Sequence, residues 1–185
     1  MPPLTIGFLN QLRDKYTNYP CFIETGTHMG YTIFAMEPLF TSLYTVEFSP
    51  YYYNHTKSKY SGDKITFVHG DSSIVFSDLL PTINDRTIFF LDGHYSSGDT
   101  GQSAKDCPLV EELQHINTLF RHEGIIIIDD VRLFGKSKAT GHNEDWSEIS
   151  SGKLLDIIGD RATQIYYMDS LCAKDDRMII HIKAL

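Results

Sequence analysis

Two stretches of this chain, Ile88-Phe89-Phe90-Leu91 and Ile125-Ile126-Ile127-Ile128, are apolar at every position. A strand with one wet face alternates apolar and polar residues. A parallel strand covered by helices on both sides is apolar throughout. These runs therefore call for a sheet buried between two helical layers. With their flanks they read TIFFLDG (87–93) and GIIIIDD (124–130), and three more short runs precede them: CFIET (21–25), SLYTVEF (42–48) and ITFVHG (65–70).

The intervening stretches YTIFAMEPLF, PYYYNHTKSKY, SIVFSDLLPTI and PLVEELQHINTLFRHE are long enough to be crossover helices between parallel strands. Pro108 at a first helical position and Gly124 just past a helix end suit that reading. Upstream, Ile6, Leu9, Leu12 and Tyr16 have helical spacing and predict an amphipathic helix over LTIGFLNQLRDKY. After Trp146, SSGKLLDIIGD predicts another helix. The closing runs TQIYYM and RMIIHIK are separated only by DSLCAKDD, too short for a helical crossover, so they predict an antiparallel hairpin. The expected fold is a single α/β, doubly wound, Rossmann-like domain over residues 1–185. Its seven-stranded sheet is mostly parallel and ends in the hairpin. Segments 95–107 and 131–145 resist assignment, and loops of that length in a compact domain are usually functional or disordered.

A net charge of -8 without a Lys/Arg cluster argues against nucleic acid as the main partner. No apolar run approaches a membrane span, and MPPLTIGF lacks the regions of a signal peptide. Cys21, Cys107 and Cys172 make neither a zinc spacing nor a disulfide framework, so a reducing, cytoplasmic setting is expected. Cys107 is expected to be a spectator thiol.

Ligands of open parallel sheets bind outside the carboxyl ends of the strands, where strand order reverses. The first run delivers Glu24-Thr25-Gly26-Thr27-His28-Met29-Gly30 to that edge. The others deliver Glu47, then Gly70-Asp71-Ser72, Asp92-Gly93-His94 and Asp129-Asp130. One such acid is unremarkable, because Asp and Glu cap helix N-termini. Five of five on one edge is not what packing alone selects, since like charges repel. A dinucleotide fingerprint needs a second glycine where His28 stands, so a pyrophosphate ligand is disfavoured.

The pattern E-x-G-x-x-x-G, with an acid ending the next strand, resembles the S-adenosylmethionine site of class I methyltransferases. By that resemblance Gly26 and Gly30 bring the loop close to the cofactor, with Thr25 between them and Glu24, which faces the methionine part. Glu47 accepts both ribose hydroxyls, and Asp71, with Ser72 beside it, takes the adenine amino group. Asp92 and Asp129 end neighbouring strands about 5 Å apart, and Asp130 adds a third carboxylate. With no Lys or Arg expected beside them, these acids call for a divalent cation such as Mg²⁺. His94 would then take the proton of a substrate hydroxyl polarised by the ion, with Asp92 holding the ion.

IETGTHMG, LDGHYSS and IIIIDD, in this order, also resemble the macrocin-type sugar O-methyltransferases. In that family the acids matching Asp92, Asp129 and Asp130 bind metal, and the position of His94 carries the acid taken as base. The resemblance implies methylation of a sugar hydroxyl, on a small molecule or a glycan, with S-adenosylmethionine and Mg²⁺. This chain lacks that family's N-terminal elaboration, so its assembly, homodimer or otherwise, stays open. Three alternatives remain: a metal-independent O-methyltransferase in which Asp92 touches the cofactor amino group, a non-catalytic cofactor-binding module, and, more distantly, a nicotinamide oxidoreductase. Tyr95 and Asp99 are expected to help a loop close over substrate. Trp146 and Tyr51-Tyr52-Tyr53 are either packing residues or floors for sugar and adenine.

Overall fold

The computed structural model describes residues 3–93 and 107–185. Seven strands form one sheet in the order β3-β2-β1-β4-β5-β7-β6. They are β1 (Cys21–Thr25), β2 (Ser42–Glu47), β3 (Ile65–His69), β4 (Thr87–Leu91), β5 (Gly124–Ile128), β6 (Ala162–Met168) and β7 (Arg177–Ile182). The first five are parallel, and β7 runs antiparallel to both β5 and β6. The α/β, doubly wound sheet with a terminal hairpin is therefore as its apolar runs predict. Strand order reverses between β1 and β4, which pair from Cys21↔Thr87 to Thr25↔Leu91.

Every residue of β1, β4 and β5 is buried. Alternate side chains feed two separate cores. Ile23, Phe89, Leu91, Ile126 and Ile128 pack against α4 (Ser72–Leu79), α5 (Leu109–Leu119) and α6 (Ser151–Ile158). Phe22, Ile88, Phe90, Ile125 and Ile127 pack against α2 (Tyr31–Met36) and the N-terminal segment. Helix α3 (Pro50–Lys57) follows β2, with proline in its first turn.

Two local expectations change. The N-terminal helix shrinks to α1 (Ile6–Leu9), capped by Thr5, with turns beyond it. Leu4, Phe8, Leu9 and Leu12 seat this segment on the sheet while Ile6 is exposed, so contact with the sheet rather than helical period selects the buried positions. Gly124 is the first residue of β5, not a helix stop; a Cβ there would lie 3.1 Å from the Thr87 carbonyl oxygen. Helix α5 ends at Leu119, where Phe120 turns to an extended backbone, and Pro108 occupies its N-cap.

Candidate active site at the carboxyl ends of the strands

In-register pairing aligns the ends of β3, β2, β1, β4 and β5 on one edge: Glu47↔His69, Thr25↔Val46, Thr25↔Leu91 and Leu91↔Ile128. The loop after β1 crosses this edge. Gly26 adopts φ 84°, and a Cβ on it would stand 2.5 Å from the Asp92 carbonyl oxygen. A left-handed backbone pressed against the next strand admits glycine at little cost and other residues only with strain. The Asp92 N–H donates to Thr25 Oγ1 at 3.3 Å, a second tie between the ends of β1 and β4.

Glu47 fixes the same loop from the other side. Its Oε2 accepts the His28 N–H at 2.8 Å, and its Oε1 accepts the Ser49 N–H at 2.7 Å. Bonds from N–H groups to a carboxylate are among the stronger ones, so they hold Glu47 at the rim in one orientation. His28 sits at φ 46° with its ring 4.3 Å from that of Tyr52.

Glu24 is placed differently from the sequence expectation. It is buried, and its Oε1 accepts from Thr45 Oγ1 at 2.7 Å, with Thr27 bonded in turn to Thr45. Burial, with the charge of Glu47 added, raises its pKa to about 8, so near neutral pH it keeps its proton. Asp71 caps α4, accepting the Ser73 N–H at 3.0 Å and the Ser73 hydroxyl at 2.6 Å, with Ser72 buried beside it.

At the ends of β4 and β5, Asp92, Asp129 and Asp130 are all buried. Burial first, then the charges of Asp129 and Asp130, push the Asp92 carboxyl well above its ordinary range. Asp130 adopts φ 64°, turning the chain at the end of β5. The absence of basic residues expected here is corrected. Arg177 grips Asp129 through two bonds of 3.1 Å, with its guanidinium 4.8 Å from the Phe8 ring and 5.5 Å from that of Phe90. Arg132 bonds both Asp130 and Asp176. Asp176 enters the centre unannounced: among the described residues, oxygens of Asp129, Asp130 and Asp176 lie within 4.8 Å of one another. Asp92 stands beside that trio rather than in it.

No protein-family model and no curated protein sequence matches this chain. Solved structures do. The O-methyltransferase TomG of Streptomyces achromogenes, involved in tomaymycin synthesis and solved with SAM, is 12% identical, with a TM-score of 0.64 over 91% of this chain and 75% of that one. An O-methyltransferase of Bacillus cereus solved with SAH is 13% identical, with a TM-score of 0.63 over 90% of this chain and 75% of its own. An rRNA methylase of Streptococcus thermophilus is 11% identical, with a TM-score of 0.52 over 91% and 88%. The fold is that of class I methyltransferases.

Within this methyltransferase fold, sequence motifs missed a second buried acid besides Asp176. Glu112 of α5 is 1% exposed, and its Oε1 has no hydrogen-bond partner among the described residues. A Cβ on Gly93 would lie 3.4 Å from that oxygen, so the carboxyl faces the end of β4. Burial raises its pKa to about 7, with bonds from Ser72 and Thr25 opposing. No motif flags it, because Glu112 sits inside an ordinary amphipathic helix.

Glu24 and Glu112 both hold their protons more tightly folded than unfolded. Their contributions are therefore greatest below about pH 4.5 and fall as pH rises through about 7 and 8. Glu112→Gln should raise stability at pH 9 by up to ~3 kcal/mol and leave it nearly unchanged at pH 4.5. Urea unfolding at the two pH values measures this, and an equal difference at both would show that protonation is not the cause.

Trp146 is an anchor: it stacks on Phe134 at 6.1 Å and donates from Nε1 to Glu144 at 2.9 Å. Of the tyrosine run, Tyr52 is buried and Tyr51 stands exposed beside His55. Burial pushes the Cys107 thiol well up, away from reactivity. His94, Tyr95 and Asp99 lie outside the described residues. Among the described residues, no helix is long and apolar enough to cross a membrane.

Proposed function

We propose that this chain transfers the methyl group of S-adenosylmethionine to a hydroxyl oxygen of a sugar, with a divalent cation such as Mg²⁺ at the acidic centre. The observation that carries the transferase reading is the loop at Gly26. It presses on the end of β4 and is tied to Glu47, where strand order reverses. Glu47 then offers its remaining lone pairs to the two ribose hydroxyls, while Thr25, Gly26 and Gly30 shape the passage of the methionine part. Asp71 and Ser72 flank the adenine. Glu24, being protonated, acts as a spacer beneath the loop and not as a counter-charge.

The donor set suits a hard divalent ion. Four buried carboxylates stand with two guanidiniums; burial first, and then the charges of Asp129 and Asp130, raise the pKa of Asp92, and a cation would relieve that second contribution. Asp92, Asp129 and Asp130 would hold the ion, which when bound supplies acidification of a substrate hydroxyl. The hydroxyl proton passes to His94, the oxygen attacks the sulfonium methyl carbon, and the C–S bond breaks to leave S-adenosylhomocysteine. Macrocin-type resemblance in IETGTHMG, LDGHYSS and IIIIDD supports the sugar acceptor.

The test pairs binding with turnover. Calorimetry should give saturable binding of S-adenosylhomocysteine. Labelled methyl transfer to a panel of nucleotide sugars and glycans should then stop with chelator and fall ~10²–10⁴-fold in His94→Ala. Binding of NAD in place of the thioether cofactor would sink the transferase reading. A metal-free transferase is the second reading, favoured by the arginines already on Asp129 and Asp130. It predicts a rate unchanged by chelator.

A further inference from the structure

The two guanidiniums of the acidic centre differ in exposure. The Arg177 side chain is 4% exposed and lies against two phenylalanine rings, whereas the Arg132 side chain is 34% exposed. A caged cation is a permanent part of the interior; one that reaches solvent can leave its contact without being stranded in low dielectric. We propose that Arg132 is an exchangeable counter-cation, holding Asp130 until a divalent ion replaces it there and remaining on Asp176 afterwards. This rests on the reading that the centre takes a divalent ion.

Asp176 is built to keep Arg132 without help from Asp130. It is 1% exposed; its Oδ1 accepts the Arg132 backbone N–H at 3.0 Å, and its Oδ2 accepts Arg132 Nη1 at 2.5 Å and the Ser170 hydroxyl at 2.6 Å. The Val131 N–H donates to the Asp176 carbonyl at 3.0 Å, so the hairpin and the end of β5 are fastened at the same point. Only the contact to Asp130 must open.

Charge balance favours the exchange. Once Arg132 belongs to Asp176 alone, that pair is neutral. Of the two arginines only Arg177 then remains on the side of Asp92, Asp129 and Asp130, so carboxylates are in excess there and a divalent ion offsets them. Before the exchange, Arg132 blocks an oxygen that the ion needs and repels the ion at close range. The same contact spares the empty centre part of its carboxylate repulsion. Arg132 thus sets how tightly the ion is held.

The experiment is calorimetric titration of the purified full chain with MgCl₂ and with MnCl₂, with and without S-adenosylhomocysteine. Wild type is compared with Arg132→Ala, Arg132→Lys and Asp176→Asn, each checked for folding by circular dichroism. Removing a cation in contact with a ligand carboxylate should tighten the ion by roughly tenfold or more. Arg132→Lys should stay near wild type. Asp176→Asn, which leaves Arg132 only Asp130 to pair with, should weaken binding. Unchanged or weaker affinity in folded Arg132→Ala overturns the proposal. So does the absence of metal heat in both wild type and Arg132→Ala; saturable cofactor binding in that case would leave the methyltransferase reading standing.

Discussion

Arg177→Met should lower the stability of the folded chain by ~3–5 kcal/mol, the cost of leaving a buried partner charge uncompensated. Asp129 is 3% exposed and takes two bonds from Arg177 beside one from the Asp130 N–H, so without the guanidinium its buried carboxylate would lose its charge partner or take up a proton. The double variant Arg177→Met with Asp129→Leu should recover most of the loss, because replacing both members of a buried pair by apolar groups is often nearly neutral. Urea unfolding of the two singles and the double measures the coupling. A small loss in Arg177→Met, or a double no better than the singles, would show that the pair does not organise this edge. The same geometry makes Asp129→Ala a poor probe of metal binding, since it also removes the acceptor of two buried Arg177 bonds; Asp130→Asn is cleaner.

Glu47→Ala should weaken binding of S-adenosylhomocysteine by about 100-fold or more, from two lost charge-assisted bonds worth ~1.5–3 kcal/mol each. The loop also loses its tether at the His28 N–H, which adds to the effect on affinity rather than on the fold. Glu47→Gln keeps one acceptor and should fall in between. Calorimetry at one pH decides it. Equal affinities for wild type and Glu47→Ala would mean that the cofactor, if bound, lies elsewhere.

Much of this architecture can be read in the chain because its signals are local and physical. IFFL and IIII cannot be half-wet strands, and eight residues between two β-runs cannot contain a crossover helix, so sheet and hairpin follow. Acids at the strand ends are equally legible, as parallel in-register pairing carries their positions onto one edge. Partners are not. Arg177 lies 48 residues beyond Asp129 and opens a strand that pairs with β5 antiparallel, so only the closed sheet brings the two together. Arg132 stands two residues after Asp130 and was visible, yet its role depends on Asp176 arriving from the hairpin. Glu24 differs in another way: the motif sets it near the end of β1, yet its environment, a bond from Thr45 and burial that raises its pKa to about 8, cannot be read from the motif.

The hairpin has a temporal consequence. A polypeptide leaving the ribosome would present the ends of β1 to β5 long before residues 176 and 177 emerge. The Gly26 loop and Glu47 could settle early, while Asp129 and Asp130 would wait with their charges solvated. Formation of the hairpin is then the step that draws those carboxylates inward, so the acidic centre is completed only after β7 has joined the sheet.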